Sequence, residues 1–149
     1  MKILSFVVFF PIFMSTQTLD LDKVRNDYHN AISEKELCRQ MLQTFEKNDN
    51  KNIYLAYYGA LQTIWAKHTN NPFEKLKSFN NGKRNLDSAI SQQPDLFEAR
   101  FLRYAIQKES PAFLRYKNDM KEDRDFLIKN IREIQNPFLK KMGYQILKN

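Results

Sequence analysis

Two histidines, one cysteine, an acidic run and two aromatic clusters are the residues of this chain that could do chemistry. His29 and His68 fall on different expected helices, and neither belongs to an H-E-x-x-H pair. A single cysteine leaves no paired-thiol spacing for zinc. His68 ends the helix that carries Trp65, where a histidine suits the negative end of the helix dipole. No phosphate-binding loop and no G-x-S-x-G nucleophile elbow occurs in the sequence. Glu122, Asp123 and Asp125 stand with Lys121 and Arg124 between them. On a helix these charges alternate around the surface and read as a solvated face. Cys38 shares an apolar stripe with Leu37, Met41, Leu42 and Phe45, which predicts a buried thiol acting as a small hydrophobe. These patterns predict no metal, no cofactor and no catalytic residue. The enzymatic alternative is a small hydrolase whose site leaves no motif.

Two sets of residues remain as binding candidates. Tyr54, Tyr57, Tyr58 and Trp65 form the densest aromatic patch. At helical spacing such residues read as core; the alternative is that some line a groove, because Tyr and Trp combine large contact area with a polar tip. Tyr57 and Tyr58 point about 100° apart on a helix, which leaves at least one partly exposed. The second set is Arg100, Arg103, Arg115 and Lys117 with Tyr104 and Tyr116. Basic residues interleaved with aromatics would suit RNA in a cytosolic protein. In an exported one they would meet an acidic protein, an anionic lipid surface or a charged polysaccharide. A basic face that only keeps the protein soluble is the default reading.

Export is what the first eighteen residues predict. Lys2 supplies a short positive region, and residues 3–14 are apolar apart from Ser5. That run of about a dozen residues falls short of the roughly twenty needed to span a bilayer. Ser15, Thr16 and Thr18 offer small residues for cleavage, after Thr18 or, in the competing choice, after Ser15 or Thr16. The expectation is therefore a leader over 1–18 and one domain over 19–149, periplasmic or secreted, with an uncleaved anchor as the alternative. Cys38 lies too far downstream to carry a lipid, and one cysteine excludes an internal disulfide. Nucleic acid is not expected as a partner of an exported protein.

Charge is unevenly spread over 19–149. Residues 19–102 hold 12 basic and 11 acidic side chains, whereas 103–149 hold 11 and 6. The last third is thus +5 against +1, and it is a second candidate for contact with an anionic surface.

The elements that must position these residues are all helices. Leu21, Val24, Tyr28, Ala31 and Ile32 predict a first helix opened by Asp20 and Asp22. Ser33 and Glu36 read as a capping box for a second, running through Phe45 to the polar cluster 48–52. The third spans Ile53 to about His68 and carries Ala56, Gly59 and Ala60. Glycine inside a helix costs up to about 1 kcal/mol relative to alanine, so Gly59 predicts a close helix approach. Asn71-Pro72-Phe73 starts the fourth with an Asn cap and proline in the first turn. Its expected core face is Leu76, Phe79, Leu86, Ala89 and Ile90. Asp95 and Glu98 repeat the cap pattern for a fifth, and Ser110-Pro111 opens a sixth segment broken near Asn118-Asp119. Asn136-Pro137-Phe138 starts the last helix, expected to bury Phe138, Leu139, Met142, Ile146 and Leu147. No hairpin turn and no sustained two-residue alternation occurs. The fold class is all-α, six or seven antiparallel helices in a helical-hairpin array.

Gly82, Leu86 and Ala89 lie 12, 8 and 5 residues before Pro94. This spacing resembles the second helix of a tetratricopeptide repeat, and Glu98 to Arg103 looks like the opening of the next repeat. The repeat's earlier signature positions fall on Ala66, Thr69, Asn70 and Phe73, of which only Phe73 fits. The match therefore covers about half of one repeat. The whole layout is similar to small secreted helical proteins of Bacteroidetes bacteria. The pieces that carry it are Tyr58-Gly59, Pro94 with Glu98 to Arg103, and Pro111 with Phe113 to Lys117. That resemblance implies a degenerate tetratricopeptide-like fold and an exported compartment, and transfers no active site. The function expected is a non-enzymatic scaffold whose third to fifth helices hold a protein or peptide.

Overall fold

Proline and asparagine mark where the helices begin. A computed structural model describes residues 19–48 and 50–148. Seven α-helices follow in order: α1 (Leu21–Ala31), α2 (Lys35–Glu46), α3 (Asn52–His68), α4 (Pro72–Gln92), α5 (Phe97–Glu109), α6 (Met120–Asn130) and α7 (Pro137–Lys148). Short 3₁₀ turns at Ala112–Leu114 and Ile131–Glu133 lead into and out of α6. Among the described residues there is no strand. The expected leader over 1–18 lies outside the described residues, and no described helix is long and apolar enough to cross a membrane.

Asp20 caps α1 through Oδ1, which accepts from the Asp22 and Lys23 amides. Asn71 caps α4 in the same way, with Pro72 in the first turn where its missing N–H has no partner to lose. Asn136 Oδ1 accepts from the Leu139 amide at the start of α7. Two expected capping boxes do not form. The Ser33 hydroxyl turns back to the Asn30 carbonyl, and α2 opens without a side-chain cap. Helix α5 also opens without one, because Glu98 faces the interior.

Each helix packs on the next, and the odd-numbered helices also pack in succession, α1 on α3, α3 on α5 and α5 on α7. Helix α3 is central and buries Ala56, Tyr57, Ala60, Leu61, Ile64 and Ala66, more than one stripe's worth. Phe45, Leu61, Leu86, Leu102 and Leu127, one from each of α2 to α6, are fully enclosed in a shared core. The tightest seam is α3 against α4. A Cβ on Gly59 would stand 2.7 Å from the Gly82 carbonyl oxygen and 2.8 Å from the Leu86 nitrogen. One on Gly82 would strike the Gly59 carbonyl and come within 2.6 Å of the Thr63 methyl. Backbone therefore lies on backbone, as the glycine inside α3 predicts. The Gln62 carbonyl accepts from Ser78 (2.7 Å), and the Gln62 side chain accepts from Asn85 (2.8 Å), closing the polar edges of the seam.

Two expected core residues are exposed, and three more, Met142, Ile146 and Leu147 of α7, are half-buried. Leu76 is 54% exposed and Phe138 40% exposed. Both belong to apolar stripes that reach a groove instead of a neighbouring helix.

Candidate functional site

The groove is the structural feature most suited to holding another molecule. Because the odd-numbered helices pack in succession, their apolar stripes face one side. Tyr28 of α1 and Ile32 just after it, Ile64 of α3, Phe101 and Ala105 of α5, and Met142 of α7 line a cavity of about 920 Å³. The start of α4 adds Pro72, Leu76 and Phe79, and the 3₁₀ turn after α5 adds Phe113. The volume is within the range of ligand sites, about 300–1,000 Å³. Seven large apolar side chains are exposed among the described residues, and four of them, Ile32, Leu76, Phe113 and Phe138, line this one cavity. Scattered exposed hydrophobics are ordinary on soluble proteins; a convergent set marks a contact surface. The charged lining residues are Arg25, Lys67, Lys75 and Glu109.

One wall of the groove is braced by a buried carboxylate. Arg25 donates through Nε and Nη2 to Glu98 (2.8 and 2.7 Å), a two-point pairing of α1 with α5. The Tyr57 hydroxyl of α3 donates to the same carboxylate. Burial, then the Glu98 charge, pushes the Tyr57 phenol above its usual range, so it stays a donor. The Glu98 hydrogen bonds hold the Arg25 guanidinium even more firmly charged than usual. Three helices are thereby fixed where they meet the cavity.

A second brace sits on the opposite face of α5. Asp123 of α6 is 0% exposed and accepts from Arg103 Nε (2.7 Å), Arg103 Nη2 (2.8 Å) and Arg100 Nη1 (2.9 Å). Arg100 also reaches Glu122 at 2.8 Å and packs over the Phe126 ring. Its hydrogen bond holds the Glu122 carboxyl below the usual range. Arg103 further contacts Asp87 at 3.3 Å, and the Tyr116 hydroxyl donates to Asp87 at 3.0 Å. The acidic run expected on a solvated face is thus divided. Asp123 is the enclosed counter-charge of two arginines, while Asp125 pairs with Lys121 at the surface.

The residues singled out in the sequence do not form one surface. Tyr57, Arg100, Arg103, Tyr104 and Tyr116 are buried, and only Arg115 and Lys117 of the basic set are exposed. Tyr58 stacks on Phe45 with ring centres 6.0 Å apart, away from the cavity lining. Trp65 donates to Glu74 at 2.8 Å and is covered by Lys35 and Arg39. Of the basic residues in the last third, Lys121 pairs with Asp125, and Lys140 donates to the Arg132 carbonyl.

Among the other candidates, Cys38 is fully buried, and burial pushes its thiol up to about 11. His68 donates from Nε2 to the Ala31 carbonyl (2.9 Å), joining the ends of α3 and α1. His29 lines the groove and meets the Phe138 ring edge-on. Sequence reasoning missed Arg25, Glu98 and the groove-lining role of Ile32, Leu76, Phe113 and Phe138. One signal was available for the last two. Phe73, Phe113 and Phe138 each follow a proline at a helix start, where no preceding turn covers them. The chain matches no family model, no curated protein and no solved structure.

Proposed function

We propose that this is a non-enzymatic binding protein whose groove holds an apolar segment of a partner protein in helical form. The observation that carries the reading is the convergence of Ile32, Leu76, Phe113 and Phe138 on one open apolar cavity. The form of the guest follows from the walls. They are helices, whose backbone groups are already bonded internally and offer no edge to an extended strand. A guest must bring its own backbone hydrogen bonds, as a helix does. An amphipathic helix also keeps its polar face on the open side. Lining by successive odd-numbered helices supports a hairpin array related to tetratricopeptide repeats. The leader-like residues 1–18 support export to the periplasm or beyond.

A photo-cross-linking amino acid at position 105, on the groove floor, tests the reading against one at position 124. Adducts specific to position 105 are expected, mapping to partner segments with apolar residues spaced i, i+3 or i+4, and i+7. Filling the groove with Ala105→Trp should abolish binding of peptides made from those segments. Equal cross-linking from both positions, or undiminished peptide binding by the filled variant, would overturn it. Mass spectrometry of the protein from its native host tests export, with a mature start between Thr16 and Leu19 expected.

A further inference from the structure

On the rim of the groove lies an apolar edge of different shape. Phe73 is 85% exposed and Phe113 80% exposed, the two most exposed large apolar side chains among the described residues. Phe73 sits in the first turn of α4, one turn before Leu76 and on the same side of the helix. Leu76 and Phe113 line the same cavity, and Phe73 stands one turn from Leu76. Their presentation is fixed. Pro72 begins α4, and Pro111 precedes the turn that carries Phe113. Tyr116, three residues on, is buried against α4, edge-on to Phe79 at 5.9 Å and bonded to Asp87. Lys83 caps the same ring at 5.0 Å. A segment held this firmly has every means to turn Phe113 inward, and it holds Phe113 out in water.

The charges around this edge are mostly positive. Lys77 lies near Phe73 around α4, Lys75 stands on the groove side of that helix with Leu76, and Arg115 and Lys117 follow Phe113. All four are exposed, and none forms an ion pair among the described residues. Glu74, next to Phe73, keeps its negative charge, because hydrogen bonds from the Thr69 hydroxyl and the Trp65 indole hold its carboxyl below the usual range. Glu109 is the one acid that shares the groove lining with Lys75.

We infer that this edge docks the protein on an anionic lipid bilayer. Phe73, Leu76 and Phe113 enter the boundary between headgroups and acyl chains, and the four cations meet lipid phosphates. Shape and charge favour a bilayer over a protein here. A protein partner would need a matching pocket for each protruding ring, whereas a fluid interface opens around them. Lysine and arginine stems bury alongside the rings while their charged ends stay at the headgroup level. The inference goes beyond the groove reading; the two share Leu76 and Phe113, Phe73 lies outside the cavity lining, and filling the groove tells them apart.

Flotation of the whole protein on vesicles tests it. Phosphatidylcholine vesicles are compared with vesicles in which phosphatidylglycerol replaces one third of that lipid. Wild type should float with the anionic vesicles and stay behind with the neutral ones. Phe73→Ser with Phe113→Ser should lower vesicle affinity about tenfold or more, since two apolar side chains no longer enter the interface. Lys75→Gln, Lys77→Gln and Arg115→Gln together should lower it at least about tenfold and flatten its salt dependence. Circular dichroism should show all variants folded, and the groove-filled Ala105→Trp should float as wild type does. The proposal is overturned by absence of wild-type flotation on anionic vesicles at low salt. It is equally overturned if the double phenylalanine variant floats undiminished, or if a soluble sulfated polysaccharide binds that variant and wild type as tightly as vesicles bind wild type. Either of the last two results would identify a polyanion site with no use for the rings.

Discussion

The α3–α4 seam and the groove are built from the same central helix and treat space in opposite ways. At the seam, Gly59 and Gly82 remove side chains so that two backbones touch. At the groove, Ile64 of α3 faces Phe101 and Ala105 of α5 across open volume, with Leu76 and Phe113 raised at the margin. Small residues close the gap between α3 and α4, and large apolar residues line the open groove. The difference is one of partner supply. The seam is closed backbone on backbone, whereas Ile32, Leu76, Phe113 and Phe138 of the groove end at solvent. Stability therefore concentrates at the seam and the buried braces, and binding capacity at the groove.

The largest test of that division is Asp123→Ala. It leaves Arg100 and Arg103 buried without their shared counter-charge, and unfolding free energy should drop by about 3–5 kcal/mol. Denaturant titration checks this; a loss below about 1 kcal/mol would show the brace to be replaceable by water. Next in size is Gly82→Ala, which drives a methyl into the Gly59 carbonyl and should cost about 1–3 kcal/mol. Gly143→Ala is its control. There the nearest atom is the Ile131 Cδ1, a side-chain end that can move, and the loss should stay below about 1 kcal/mol. Similar losses at positions 82 and 143 would break the contrast between seam and periphery.

On the groove side, Leu76→Ser and Phe113→Ser should change stability by no more than about 0.5 kcal/mol each, because both residues already stand in water. Calorimetry checks this, and the same variants should bind the groove's peptide ligands more weakly. A further effect is alkaline. The folded pKa values of Cys38 and Tyr57 are raised, so the fold favours their protonated forms. The folded state then holds more protons than the unfolded chain, and stability must fall as pH rises. For Cys38 that loss begins near the unfolded value of about 8.5 and is complete above about 11. Cys38→Ala should flatten the part of the slope between them, apart from the cost of its cavity.

Local rules were easy to read in this chain, and long-range pairings were hidden. Asn71-Pro72 and Asn136-Pro137 mark helix starts because cap and ring act within three residues. Gly59 announces its seam because its cost in a helix demands a reason. Glu98 looked like a capping residue since its real partners, Arg25 and Tyr57, lie 73 and 41 positions away. Asp123 looked solvated because Lys121 and Arg124 flank it, although neither is its partner. Leu76 and Phe138 looked like core for a simpler reason. An apolar stripe has the same period whether or not a helix of the same chain arrives to cover it.

The Arg25–Glu98 bond spans more sequence than any other side-chain hydrogen bond among the described residues. That span has a consequence in time. A ribosome adding about 5–20 residues per second places Glu98 in the chain roughly 4–15 s after Arg25. Helices α1 to α4 can pair with their neighbours during that interval, since their contacts are local and quick to form. The groove wall cannot be completed until α5 delivers its carboxylate. Until then the apolar side chains of α1 and α3 that line the groove stand uncovered, and the growing chain is most open to chaperones and to misassociation within that window.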